Sequence, residues 1–237
     1  MASARDGSRM KSGFRALVTG LAAALALGAG TAGAAGPQGV TRIEPGVHRV
    51  GKAEAPLTLT EYVSYTCPHC AHFEHDAGKQ LIVAYAAAGK ASIVVRNLVR
   101  DPADLAAALL SNCGGDDRFI ANHGAIMGAQ DEWLGRLRAA TPAQRVRYQT
   151  GSFGARMQAL ARDAGLYDIM VRRGYGKTQL DRCLADEATA KTLSENTASY
   201  LQQGVSGTPS FAIDGLLLAG THDWASLKPQ LDARIRR

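Results

Sequence analysis

Two cysteines spaced as Cys67-Pro68-His69-Cys70 stand between a strand-like run and a helix-like run, and this junction constrains the chain more than any other feature. Two intervening residues allow a small disulfide ring that closes and reopens without unfolding anything. At the start of a helix the first sulfur lies over unpaired backbone N–H groups and the positive end of the helix dipole. Those surroundings favour thiolate, the form that attacks disulfides, and lower a cysteine pKa to roughly 3.5–7.5. The same spacing serves zinc sites, so the flanking sequence must arbitrate.

Before the motif, Leu57-Thr58-Leu59-Thr60-Glu61-Tyr62-Val63-Ser64-Tyr65 alternates as a strand should and is rich in β-branched and aromatic residues. Leu57, Leu59, Glu61, Val63 and Tyr65 then share a face, which leaves Glu61 as a carboxylate in a mostly apolar row. After the motif, Phe73, Ala77, Leu81 and Tyr85 recur at helical spacing between Ala71 and Ala88, and Gly89 suits the position after a helix. Ala91 to Val99 reads as a second strand, which completes a βαβ unit with a right-handed crossover if the strands are parallel.

Much further on, Gly207-Thr208-Pro209-Ser210-Phe211-Ala212-Ile213 and Leu216-Leu217-Leu218 flank Asp214-Gly215, a strong two-residue hairpin signal. A closing helix, opened by Thr221 or Asp223, carries Trp224, Leu227, Leu231 and Ile235 inward. Between the halves, Asp101-Pro102 starts a helix as cap and N1 proline. The pattern stays helical to about Gly204, with breaks at Gly114-Gly115, Thr141-Pro142, Gly151 to Gly154 and Gly174 to Gly176.

With CPHC after a strand, Thr-Pro opening a later strand and a ββα ending, the chain resembles the thioredoxin fold, an α/β class. The Pro-His pair in the motif and the long helical stretch before Thr208-Pro209 resemble the DsbA-like periplasmic disulfide oxidoreductases, over roughly Val50 to the C-terminus. The expected organisation is a signal peptide over residues 1–34 and a thioredoxin-like domain in two parts, 35–100 and 191–237. An inserted helical domain occupies 101–190. The resemblance implies a cis Pro209 beside the CxxC, with the Thr208 backbone free to pair with an extended substrate strand. It places a buried acid at Glu61, six residues before Cys67, where a raised pKa suits it to take the proton of Cys70. Unfolded or reduced secreted proteins are the implied substrates, a membrane redox partner reoxidises the pair, and no cofactor is needed.

Arg5, Arg9, Lys11 and Arg15 precede the apolar run Ala16 to Leu27, and Ala32-Gly33-Ala34 supplies small residues for cleavage. The run is shorter than the ~20 residues that span a bilayer. Removing 34 of 237 residues leaves 203, enough for one sizeable core. Four basic residues against one acid put +3 on the leader and leave +3 of the total +6 on the remainder. No block of like charge remains there, which gives no case for nucleic acid; a periplasmic monomer is expected.

Within the motif, Cys67 is expected to be the exposed nucleophile and Cys70 its deeper partner. Pro68 suits the helix start, and His69 brings an imidazole near the Cys67 sulfur. Four cysteines with two in the motif leave Cys113 and Cys183 as a structural disulfide, the expected state, or as two buried free thiols. Some DsbA-like relatives carry a comparable second bridge. Strong thiolate stabilisation at Cys67 makes the pair an oxidant that introduces disulfides. Two other readings compete with this one. Thr208, where the best-known oxidants carry Val, is familiar in isomerase-type relatives, which favours an isomerase or reductase. His69, His72 and His75 with the two cysteines make a periplasmic metal-binding protein conceivable, although steps of three residues drift off one helix face, and no metal site is expected.

Overall fold

The alternating run before the motif forms a strand because both of its faces are covered. A computed structural model describes residues 39–235, so the expected signal peptide lies outside the described residues. Strand β3 (Thr58–Val63) sits between β4 (Ser92–Asn97), which runs parallel to it, and β5 (Ser210–Ile213), which runs antiparallel. Glu61 stands opposite Val95 on one side and Phe211 on the other. Strand β6 (Leu216–Leu217) closes the hairpin on β5, and its turn has Asp214 at φ 50° and Gly215 at φ 81°, the left-handed pair a tight hairpin requires.

The sheet also extends to the other side, where the sequence reading stops at Val50. Strands β1 (Val40–Glu44) and β2 (Val47–Val50) form an antiparallel hairpin around Pro45 and Gly46, and β2 pairs antiparallel with β4. The order among the described residues is therefore β1-β2-β4-β3-β5-β6.

Helix α1 (Pro68–Phe73) follows the motif and continues through two π-helical stretches, Glu74–Gly78 and Leu81–Ala86. Phe73, Ala77, Leu81 and Tyr85 are all buried. A spacing of four overshoots an α-helical turn by about 40° per step, and the wider π turns take up that drift. Gly89, at φ 68°, turns the chain toward β4. Phe73 packs on Phe211 with ring centroids 4.7 Å apart, and Trp224 of α10 (Trp224–Ile235) reaches Phe73 edge-on.

The helices between β4 and β5 are α2 (Pro102–Ser111), α3 (Phe119–Gly128), α4 (Gln130–Arg138), α5 (Pro142–Arg147), α6 (Phe153–Ala164), α7 (Leu166–Arg172), α8 (Lys177–Leu184) and α9 (Glu187–Gln202). The last runs through residue 190, where the sequence reading ends the insertion. Asp101 caps α2 by accepting from the backbone of Ala103 and Asp104, and Thr141 caps α5 in a reciprocal box with Gln144.

Cys113, just after α2, is disulfide-bonded to Cys183 in α8, across a sequence separation of 70. Closing a loop of that length removes chain entropy from the unfolded state worth about 4 kcal/mol. Replacing both cysteines with alanine is expected to lower the unfolding free energy by about that amount, read from urea denaturation, with the CPHC pair held in one redox state throughout.

Candidate active site

The backbone leaves β3 through Ser64, Tyr65 and Thr66 and enters α1 with Cys67 as the N-cap residue. Cys67 is extended (φ −93°, ψ 115°), Pro68 opens the helix, and the Cys67 carbonyl accepts from the N–H groups of Cys70 and Ala71 at 3.1 and 3.3 Å. No acidic residue lies in the first turn. Both motif cysteines are free thiols. The Cys67 thiol donates to the Thr208 carbonyl oxygen at 3.1 Å, and the Thr208–Pro209 peptide beside it is cis.

The expectation of an exposed Cys67 needs correcting. Cys67 is 3% exposed and Cys70 1%, because the Thr208 loop closes over the first sulfur. The two differ in electrostatics rather than access. Cys67 falls to a pKa of about 4, held there chiefly by the Cys70 thiol, with help from Thr208 and the backbone N–H groups of Cys70 and His69, against opposing burial. Cys70 is pushed far up by burial and by its neighbour's sulfur. The side chain of His69 is exposed, as are Pro68, His72 and His75, so His69 acts on Cys67 through its backbone. Among the described residues, no group of three or more His, Cys, Asp or Glu is arranged to hold a metal ion.

Glu61 is 3% exposed, and burial raises its pKa to about 8, opposed by His123 and assisted by Glu74. A carboxyl in that range holds a proton near neutral pH and can still release it.

Sequence reasoning missed three buried polar residues supplied by the helices between β4 and β5. Asp104 accepts from the Ser64 hydroxyl at 2.5 Å, the Tyr65 N–H at 2.7 Å and the Arg100 N–H at 3.0 Å, pinning the loop ahead of the motif. Gln130 donates through Nε2 to the carbonyls of Tyr65 and Cys67 at 2.8 and 2.9 Å. His123 meets Tyr65 Oη at 2.9 Å through Nδ1. In a helical stretch the sequence pattern does not separate them from solvent-facing polar residues.

A family model described as Thioredoxin matches residues 44–233. The chain belongs to the thioredoxin family. Within it, a solved protein-disulfide isomerase from Novosphingobium aromaticivorans is 50% identical, covering 81% of this chain and 99% of its own, with a TM-score of 0.77. The Wolbachia pipientis α-DsbA1 structure is 19% identical over 79% of this chain and 90% of its own, with a TM-score of 0.59, a likeness of fold. A Rickettsia bellii sequence provisionally named protein-disulfide oxidoreductase is 28% identical over 170 residues, 70% of this chain and 56% of its own. The chain thus spans little more than half the length of the curated relatives it matches.

Two titrations follow from these charges in this thioredoxin-family site. Thiolate absorbance at 240 nm in the reduced chain should rise with a midpoint near 4 and vanish in Cys67→Ser, with Cys70 contributing nothing below pH 9. Glu61 binds more protons folded than unfolded, so its contribution is greatest below about 4.5 and is lost as pH rises through about 8. Glu61→Gln should therefore gain stability on the reduced wild type as pH rises across that window. The difference in unfolding free energy above pH 8 should be on the order of 3–5 kcal/mol.

Proposed function

We propose that this chain is a thiol–disulfide oxidoreductase that donates the Cys67–Cys70 disulfide to secreted proteins in the periplasm. The observation that carries the reading is the asymmetry of the two sulfurs, one held as thiolate down to about pH 4 and the other held as thiol. Stabilising the Cys67 thiolate favours the reduced pair over the disulfide, which makes the disulfide a ready oxidant.

In the donating half-cycle, a substrate thiolate attacks Cys67 Sγ and forms a mixed disulfide. The Cys67–Cys70 bond breaks, its electron pair goes to Cys70, and Glu61 supplies the proton that the buried sulfur needs. A second substrate thiolate then attacks the substrate sulfur and expels Cys67 as thiolate, leaving the substrate oxidised by two electrons. Thr208 contributes its backbone. Once Cys67 ionises it can no longer donate to the Thr208 carbonyl, which is then free to accept an N–H from an extended substrate. Reoxidation by a membrane partner runs the steps in reverse, with Cys70 giving its proton to Glu61 as it attacks. The leader over residues 1–34 supports export.

Isomerase action is the second reading, favoured by the name of the 50% identical structure and by Thr208 ahead of the proline. The reduction potential separates the two. Equilibration with glutathione should return a value above about −180 mV for an oxidant, whereas a value near −270 mV gives the pair to an isomerase or reductase kept reduced by its partner. Cys67→Ser should abolish exchange with a reduced peptide. Cys70→Ser should accumulate mixed disulfides through Cys67, and absence of such adducts under oxidising conditions would reverse the assignment of the sulfurs.

A further inference from the structure

Beside the motif helix lies a cleft that the exchange steps leave unused. It encloses 690 Å³, and its wall runs from Pro68 of the motif to the junction of α3 and α4, where α1 packs against both helices. Gln130, at the start of α4, ties the cleft to the reactive turn. It lines the cleft, is 2% exposed, and donates through Nε2 to the Cys67 carbonyl at 2.9 Å. Cys67 therefore touches Thr208 through its sulfur and the cleft wall through its carbonyl. A chain that pairs with Thr208 and presents a sulfur to Cys67 has the cleft within reach. The Gln130 Oε1 is buried and has no hydrogen-bond partner among the described residues, an acceptor the fold leaves unused.

The lining has two characters. Ala71, Gly128 and the buried Met127 give it an apolar part, and a Cβ on Gly128 would meet nothing within 4 Å, so that part is open. Asp76, Asp131 and Glu132 give it charge, and no Lys or Arg among the described residues lines it. His72 and His75 stand beside them, with His75 Nδ1 donating to Asp76 at 2.9 Å. Arg136, outside the lining, donates to Glu132 at 2.7 Å. Asp131 has no side-chain partner among the described residues. Acids in the first turn of α4 suit its dipole, but that accounts for Asp131 and Glu132 only. Asp76 comes from the π-helical stretch after α1 and adds its carboxylate from a separate element.

An apolar surface edged by carboxylates matches a side chain with an apolar stem and a cationic end. Lys and Arg lay their methylenes along such a surface and keep the charge at its rim. We propose that this cleft selects substrates, taking a lysine or arginine that lies within a few residues of the substrate cysteine. The proposal rests on the reading of Cys67 and Cys70 as an exchange pair, and the bond changes at sulfur stay as described above. Carboxylates beside the sulfur steer a cationic chain onto it and reject an anionic one, and salt screens both effects.

The test uses reduced peptides that carry two cysteines and differ only in two flanking residues, both Lys, both Glu or both Leu. Each is mixed with the disulfide form of the full chain. Its oxidation rate is divided by its own uncatalysed rate with hydroxyethyl disulfide, a neutral oxidant, which removes differences in thiol reactivity. At about 10 mM salt the Lys peptide should react at least ~tenfold faster than the Glu peptide, and faster than the Leu peptide. The advantage should shrink at about 0.5 M salt. Asp131→Asn should cut the Lys-to-Glu ratio at least ~threefold. Gly128→Leu, which fills the apolar part, should cut it as well. Glu195→Gln, which removes the same charge from α9 outside the lining, should leave the ratio in place. A ratio within about twofold of one, or an equal fall in Glu195→Gln, overturns the proposal. So does a Leu peptide that reacts fastest, which would give the cleft to an apolar occupant.

Peptides with serine in place of both cysteines separate this proposal from the exchange reading, because their binding needs no turnover. If the chain oxidises no peptide yet binds the Lys form at least ~threefold tighter than the Glu form, the exchange reading fails and the cleft stands. If it oxidises all three peptides without preference, the cleft fails and the exchange reading stands. Serine peptides that bind without preference overturn the proposal whether or not exchange occurs.

Discussion

The site depends on a helix whose first N–H groups are offered a sulfur. Ser, Thr, Asp or Asn at that N-cap would satisfy the helix end with an oxygen and stabilise it by about 1 kcal/mol. Cys67 makes no side-chain capping bond as a thiol. Its thiolate is a far better partner for the same N–H groups and for the Cys70 S–H, so the demand of the helix end is met by ionising the cysteine. Low proton affinity at Cys67, high proton affinity at Cys70 and the reactivity of their disulfide are three consequences of that one arrangement.

It holds only if the turn is fixed, and the core alone does not fix it. Asp104 in α2 takes the Tyr65 N–H and the Ser64 hydroxyl, Gln130 in α4 takes the carbonyls of Tyr65 and Cys67, and His123 in α3 takes the Tyr65 hydroxyl. Each such bond is worth only about 1 kcal/mol net, but leaving any of these buried groups unpaired costs more. The loop from Ser64 to Cys67 thereby has one conformation, and the helices between β4 and β5 become part of the chemistry. The disulfide joining Cys113 to Cys183 ties the end of α2 to α8 within the same stretch.

Where local signals were strong, the sequence was readable. Alternation gave β3, the β-branched run Ile93-Val94-Val95 gave β4, Asp214-Gly215 gave the β5–β6 turn, and the CPHC junction gave the start of α1. The β1–β2 hairpin escaped because Val40, Ile43, Val47 and Val50 fall three or four residues apart instead of alternating, and its pairing with β4 is set by tertiary contact. The covered state of Cys67 was missed although the resemblance places Pro209 beside the motif, because pattern alone does not show whether the Thr208 carbonyl faces the sulfur or the solvent. Asp104, His123 and Gln130 sit in helices, where a polar residue that faces the core and one that faces water look alike until the partner strand is known.

Cys67 and Glu61 pull the pH dependence of the fold in opposite directions. A lowered thiol pKa stabilises the reduced chain fully above about 9 and is lost as pH falls through about 4. A raised carboxyl pKa does the reverse, stabilising most below about 4.5 and losing that contribution as pH rises through about 8. In the reduced chain the two slopes overlap through the neutral range and offset each other. Forming the Cys67–Cys70 disulfide removes the thiolate and leaves the buried acid, so the oxidised chain keeps only the falling slope. The gap between the two redox forms therefore widens with pH, which on the proposed reading would release the disulfide most readily where substrate thiols are also most ionised.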